Sequence, residues 1–203
     1  AIPAERARWL DIWQRWPDAE VWAHPEYVAL FAAPEERAIC IALEQADAGI
    51  LFPLLMRPLD VQQWSKDAIG LCDLTSAYGF GGPFGWGSPN VKMFWAEFER
   101  WARTQKAVSV FTRLPLFEEQ TIAFQGEVIT KGPAVVIPLE GGESCILKGY
   151  QRSVRENLRL AERRGVSVVV DTRGERLEEF LQVYYSTMER RGASSTYFFP
   201  RSL

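Results

Sequence analysis

What this chain lacks narrows its chemistry first. Its 203 residues hold no run of 18 apolar residues, so no segment is expected to span a membrane as a helix. The opening Ala1-Ile2-Pro3-Ala4-Glu5 has no basic stretch followed by an apolar one, so a secretory leader is not expected. The missing initiator Met points to a processed or absent true start. Only three cysteines occur, Cys40, Cys72 and Cys145, widely scattered and with no C-x-x-C pair. They read as reduced, mostly buried thiols of a cytoplasmic protein, not as a disulfide frame or a zinc site. There is one histidine, His24, and no G-x-S-x-G elbow, which argues against a Ser-His-Asp hydrolase. No His/Asp/Glu cluster has ligand spacing, so a metal is not expected. Positive charge is also short: the net charge is −3, so the chain is no general polyanion binder and DNA is not an expected partner. Any phosphate or RNA contact must come from a local basic patch.

What is present is ordinary globular material, 47% hydrophobic and 24% charged, in a length that suits one large domain or one and a half. Residues 3–16 carry Ala7, Leu10, Ile12 and Trp13 at helical spacing and stop before Pro17. A second short helix is predicted over Pro25–Ala32, with Pro25 in its first turn and Tyr27, Leu30 and Phe31 inward. Arg37–Gln45 and Ile50–Arg57 are apolar runs joined by Ala46-Asp47-Ala48-Gly49, a hairpin signal. Ala68–Leu74 reads as a third, buried strand. After the glycine-rich stretch 78–87, Ser88-Pro89 offers a cap and first-turn proline for a helix with Val91, Phe94, Trp95, Phe98 and Trp101 on one side. Ala107–Thr112 reads as a strand, and Val128–Leu139 as one or two more, broken at Gly132-Pro133.

From Ser144 onward Leu147, Tyr150, Val154, Leu158 and Ala161 form one apolar helical stripe. Arg152, Arg155, Arg159 and Arg163 form a basic stripe beside it. Gly165 ends that helix, Val166–Val170 reads as a strand, and a last helix is expected over about 175–191 with Leu177, Phe180, Leu181, Tyr184 and Met188 inward. The order predicts a mixed α/β (α+β) fold with hairpin-linked strands, not a doubly wound repeat. A lone strand between two helices from Ser144 to Leu203 reads as the start of a second domain.

Three segments could carry chemistry. Five glycines from 79 to 87, lying between a strand and a helix start, would let backbone N–H groups approach a phosphate or an oxyanion. The plain alternative is a tight turn whose aromatics (Tyr78, Phe80, Phe84, Trp86) plug a core edge. The arginine stripe could clamp a diphosphate, a coenzyme or an RNA backbone; equally, Glu156 and Glu162 interleave with it as on a solvated face. Asp73, just before the glycine stretch, is a candidate general base or amine-positioning carboxylate, or else a turn-initiating residue. His24 is a helix cap, a groove-lining residue or, less simply, a catalytic one.

Taken in order, Trp22-Ala23-His24-Pro25-Glu26-Tyr27, Tyr78-Gly79-Phe80-Gly81-Gly82-Pro83, Ser153–Ala161 running into Gly165-Val166, and Phe180, Tyr184, Thr187-Met188 and Arg190 resemble the FemAB-like branch of the GNAT acyltransferase superfamily. The resemblance implies a GNAT-like domain with an antiparallel-rich mixed sheet over residues 1–140, and the beginning of a second over 141–203. It also implies a cleft between the two in which donor and acceptor meet. The activity implied is N-acyl transfer from an acyl-CoA or an aminoacyl-tRNA, used as co-substrate, to a small-molecule or nucleotide-linked amine of a cell-wall or cell-surface precursor. No tightly bound cofactor is implied. A non-catalytic binding or scaffold module with the same fold is the alternative. Asp73 is then the catalytic candidate. Tyr78, Gly79, Gly81, Gly82, Arg152, Arg155, Asn157, His24 and Tyr27 are the substrate-binding candidates. Aminoacyl-transferring members have Pro-Arg-Gly-Pro and an acidic residue where this chain has Phe80-Gly81-Gly82-Pro83, so a nucleotide-linked peptidoglycan precursor is not singled out as acceptor. The long helical arm of some tRNA-using members is absent from these residues, which leaves the donor open.

Overall fold

The computed structural model describes residues 3–62, 64, 65 and 67–201. The chain divides into two compact units, Ala1–Gly132 and Pro133–Leu203. All of its sheet lies in the first.

That unit opens with helix α1 (Pro3–Arg15), a single 3-10 turn (Val21–Ala23) and helix α2 (Pro25–Leu30). Strands β1 (Arg37–Glu44) and β2 (Gly49–Pro58) follow as the expected antiparallel hairpin, with Glu44 opposite Gly49. β3 (Cys72–Thr75) pairs with the second half of β2 and β4 (Phe84–Trp86) with its first half, both antiparallel, so they share one edge of β2. Helix α3 (Val91–Thr104) then crosses to β5 (Ala107–Phe111), which runs parallel to β3. The sheet is mixed, with its long path in the order β1-β2-β3-β5.

Strand alternation sends side chains to two faces. One face (Ile39, Phe52, Leu54, Met56, Cys72, Leu74) packs on Phe94, Trp95 and Phe98 of α3. Phe52 is fully buried there, in ring contact with all three aromatics. On the other face Leu51, Leu55 and Phe84 pack under Trp9, Ile12 and Trp16 from the first helix and its end, and Val28 of α2. Helix α2 packs mainly on β1 and β2, and α1 on β1. On the same face of β3 and β5, Ser109 and Phe111 are exposed.

Several expectations are corrected in detail. In α1 Trp9 and Ile12 are buried and Ala7 is exposed; in α2 Pro25 and Val28 are buried, Tyr27 and the following Phe31 pack on the core as expected, and Leu30 is about half exposed. The third strand begins at Cys72, not Ala68, because Leu71 and Leu59 close a loop ahead of it (Leu59 N–H to Leu71 O, 3.0 Å). The cap of α3 is Asn90, whose Oδ1 accepts from the Met93 N–H at 3.0 Å; the expected cap Ser88 and first-turn Pro89 lie ahead of it.

The second unit holds α4 (Gly142–Gly149), α5 (Arg152–Arg163) and α6 (Leu177–Arg190). The single stripe expected from Ser144 is therefore two helices, broken at Tyr150 and Gln151. Gly165 does end α5, at φ +70°, and Gly192 follows α6 at φ +59°. Neither 128–139 nor 166–170 is a strand; Val168 and Val170 are 91% and 80% exposed, with no neighbouring strand to complete a ladder. No residue described between 133 and 201 is buried.

Candidate functional site

The face of β3 and β5 away from α3 carries Asp73, Thr75, Ser109 and Phe111. Register fixes them in rungs. Arg57 of β2 lies opposite Asp73, Asp73 opposite Ser109, and Thr75 opposite Phe111. Between the Cys72–Ala107 and Asp73–Ser109 rungs the register shifts by one, leaving Val108 as the extra residue. Residues two apart on a strand share a side, so Asp73, Thr75, Ser109 and Phe111 point the same way. Phe111 is 61% exposed there although the strand's other side chains, Ala107 and Val110, pack on the α3 core.

Asp73 and Arg57 form a two-pronged ion pair. Arg57 Nε donates to Asp73 Oδ1 at 2.9 Å and Nη2 to Oδ2 at 2.6 Å. The Asp73 side chain is only 13% exposed and the Arg57 side chain 39%. The hydrogen bond to Asp73 pushes the Arg57 guanidinium further up, so it stays charged. Each carboxylate oxygen keeps one lone pair beyond the Arg57 fork.

At the end of β3 the chain turns through Ser76 and Ala77 into the aromatic stretch. Tyr78 is partly exposed, its ring stacked on Phe31 at 5.9 Å, and its carbonyl accepts from Tyr27 Oη at 3.0 Å. Burial, with the neighbouring Tyr78 a smaller cause, pushes the Tyr27 phenol up. The Arg113 guanidinium lies 6.0 Å from the Tyr78 ring centre and 5.9 Å from that of Phe111, within cation–π range of both.

The glycines act differently from a phosphate cradle. Gly79, at φ +91°, leaves room for Trp22, whose ring would lie 2.3 Å from a Cβ. Gly81 and Gly82 are buried, and a Cβ on Gly81 would sit 2.7 Å from both the Arg113 carbonyl and Ser76 Cβ. The Gly82 carbonyl accepts from Thr112 Oγ1 at 2.8 Å, and the Arg113 N–H donates to Ser76 Oγ at 3.2 Å. The space without Cβ atoms is filled by protein, and its effect is to bring residues 112–113 close and fix where Arg113 starts. The aromatic plug is the reading the geometry favours: Phe84 is fully buried between Trp16 and the sheet.

Of the expected site residues, Tyr27 and Tyr78 are joined directly by the Tyr27 Oη bond to the Tyr78 carbonyl, while Asp73 lies two residues along β3 from the Thr75–Phe111 pair and Gly81 packs against Arg113 and Ser76. His24 does not join them as a reactive group: its Nδ1 accepts from the Glu26 N–H at 3.1 Å as the cap of α2, and its ring meets Trp13 edge-on at 4.6 Å. In the second unit, Arg155 Nη1 donates to the carbonyls of Tyr150 (2.6 Å) and Lys148 (3.2 Å), closing the end of α4. Arg152 pairs with Glu156 at 2.7 Å one turn on, and Asn157 is exposed.

Sequence reasoning did not single out Arg57, Phe111 or Arg113. An arginine ending the apolar run 50–57, and a phenylalanine on the side of 107–112 opposite its core residues, were the available signals. Among the described residues no group of three or more His, Cys, Asp or Glu side chains is placed to hold a metal, and no helix is long and apolar enough to cross a membrane. No family model matches the chain, and no curated protein or solved structure does either.

Proposed function

We propose that the chain is an N-acyltransferase of FemAB-like GNAT type, whose first unit holds the amine acceptor on the β3–β5 face away from α3. The observation that carries this reading is Asp73. It is a carboxylate fixed by Arg57 on the side of β3 and β5 that carries Thr75, Ser109 and the exposed Phe111. The resemblance of the ordered motifs supports the reaction class.

The chemistry asks little of the protein. An acyl-CoA thioester or aminoacyl-tRNA ester is already activated; the amine nitrogen forms the new C–N bond, the C–S or C–O bond breaks, and the amine proton leaves with the departing thiolate or alkoxide. Orientation of the neutral amine is the main contribution. Asp73, with both oxygens already accepting from a guanidinium, is held in one orientation and serves to orient the amine. It receives the amine N–H on its remaining lone pairs.

A second reading is favoured by one specific observation: the Cβ side of the glycine turn is filled by Trp22 and by the Arg113 carbonyl, so packing alone accounts for these glycines without calling on oxyanion donors. A binding or scaffold module with the same acceptor face would need no such donors. Titrating the whole chain with acetyl-CoA and with charged tRNA separates the two. Saturable binding of either donor, with turnover abolished in Asp73→Asn, supports the transferase. Binding of neither, with amine ligands still retained, leaves the binding module.

A further inference from the structure

Arg113 is the charged group on this face that the acceptor reading does not use. Its backbone is pinned by Ser76 Oγ and by the Gly81 contact, and its guanidinium is braced by two rings. Yet among the described residues it has neither an ion pair nor a side-chain hydrogen bond. A guanidinium held against aromatic faces keeps its N–H edge outward, the geometry suited to a two-pronged grip on an anionic oxygen group. The charge on the face decides which group. Arg57 is neutralised by Asp73, so Arg113 leaves a single positive charge, which matches one carboxylate better than a phosphate dianion.

We propose that Arg113 is a specificity-determining residue that binds a carboxylate on the same molecule whose amine lies at Asp73. The inference rests on the acceptor reading above and defines its ligand: a zwitterion. Arg113 lies over Phe111, whose rung is two residues along from that of Asp73. That sets roughly 7 Å between the two rungs, from the ~3.3 Å rise per strand residue. An acceptor of this kind places an amine and a carboxylate at the ends of a short flexible chain, as an ω-amino acid does.

The test is binding to the whole chain, read by NMR shifts or calorimetry, with 6-aminohexanoate, hexylamine, hexanoate and 6-aminohexyl phosphate as probes. The expected result is that 6-aminohexanoate binds at least tenfold tighter than either single-charge analogue. Arg113→Gln should remove that tenfold while leaving hexylamine within twofold, and Phe111→Leu should give a loss of two- to fivefold. Because Phe111 is exposed, the second variant tests the site with the fold intact. The proposal fails if Arg113→Gln binds 6-aminohexanoate as well as the parent, or if hexylamine binds equally tightly. It fails as a carboxylate site if the phosphate probe is the tighter by tenfold. Binding of 6-aminohexanoate without any transfer to it would remove the transferase reading and leave this one standing.

Discussion

At the scale of single residues, Asp73 is the most informative side chain because its charge and its environment are at odds. A carboxylate 13% exposed is gripped on both oxygens by a guanidinium that is itself partly in water. Replacing it with Asn keeps the shape and removes the charge. Arg57, left alone, can hydrate, so Asp73→Asn should lower stability by no more than ~1 kcal/mol. Amine affinity should fall by about tenfold or more, the scale of a lost charge-assisted hydrogen bond. Urea denaturation alongside a hexylamine titration checks both; a large stability loss with unchanged affinity would make the pair purely structural. The cysteines give a second prediction. Cys145 is exposed, whereas Cys72 is buried with its thiol donating to the Gln105 carbonyl, and burial pushes its pKa up. The thiolate is the reacting form, so at pH 8 Cys145 should react with a disulfide reagent at least tenfold faster than Cys72. Cys145→Ser should abolish the fast phase.

At the scale of elements, local signals succeeded where a segment is completed by its own neighbours and failed where it is not. The Ala46–Gly49 hairpin and the aromatic side of α3 were legible because turn chemistry and a 3.6-residue period act within a few residues. Val166–Val170 was misread because β-propensity describes a side chain's fit to an adjacent strand, and none lies beside it. The stripe Leu147–Ala161 keeps its spacing straight through the break at Tyr150; what ends α4 is a side chain, Arg155, returning to the carbonyls, and no period records that. The site was half legible for a similar reason. Asp73 and Tyr78 stand next to a conspicuous glycine stretch, whereas Arg57 and Arg113 join them only through register and a packed turn.

Two predictions belong to this scale. Gly79→Ala combines a positive φ with a Cβ driven into Trp22, so it should cost about 1–3 kcal/mol, while Gly132→Ala, with open space around it, should cost almost nothing; paired denaturation curves check the contrast. Ahead of α6, Asp171 accepts from the N–H groups of Arg176 at 2.7 Å and Arg173 at 3.1 Å, and these bonds, that of Arg176 first, hold its carboxyl below the ordinary value of 3.8. A depressed folded value means the contribution is complete above the unfolded pKa and disappears as pH falls through the folded one. Helical signal from α6 should therefore be flat down to about pH 5 and fall below pH 4, and Asp171→Ala should erase that step.

At the scale of the whole chain, the two units differ in what holds them. The first has cores on both sides of its sheet, with Phe52, Leu51, Leu54 and Phe84 removed from solvent altogether. Opening it exposes that surface, so its amides can exchange only through a costly transition. The second has three helices whose internal hydrogen bonds are intact but whose side chains are all at least partly exposed. Hydrogen bonds at a wet surface open with little penalty, and helices of 8 to 14 residues are marginal without burial. Hydrogen exchange on the full chain should then separate the molecule at the Gly132-Pro133 boundary. Leu51–Met56 of β2 should be the slowest amides, and α5 and α6 should exchange orders of magnitude faster despite being helical. Equal protection of α6 and β2 would mean that one cooperative transition spans both units, and stability would then have to come from burial other than the two cores of the first.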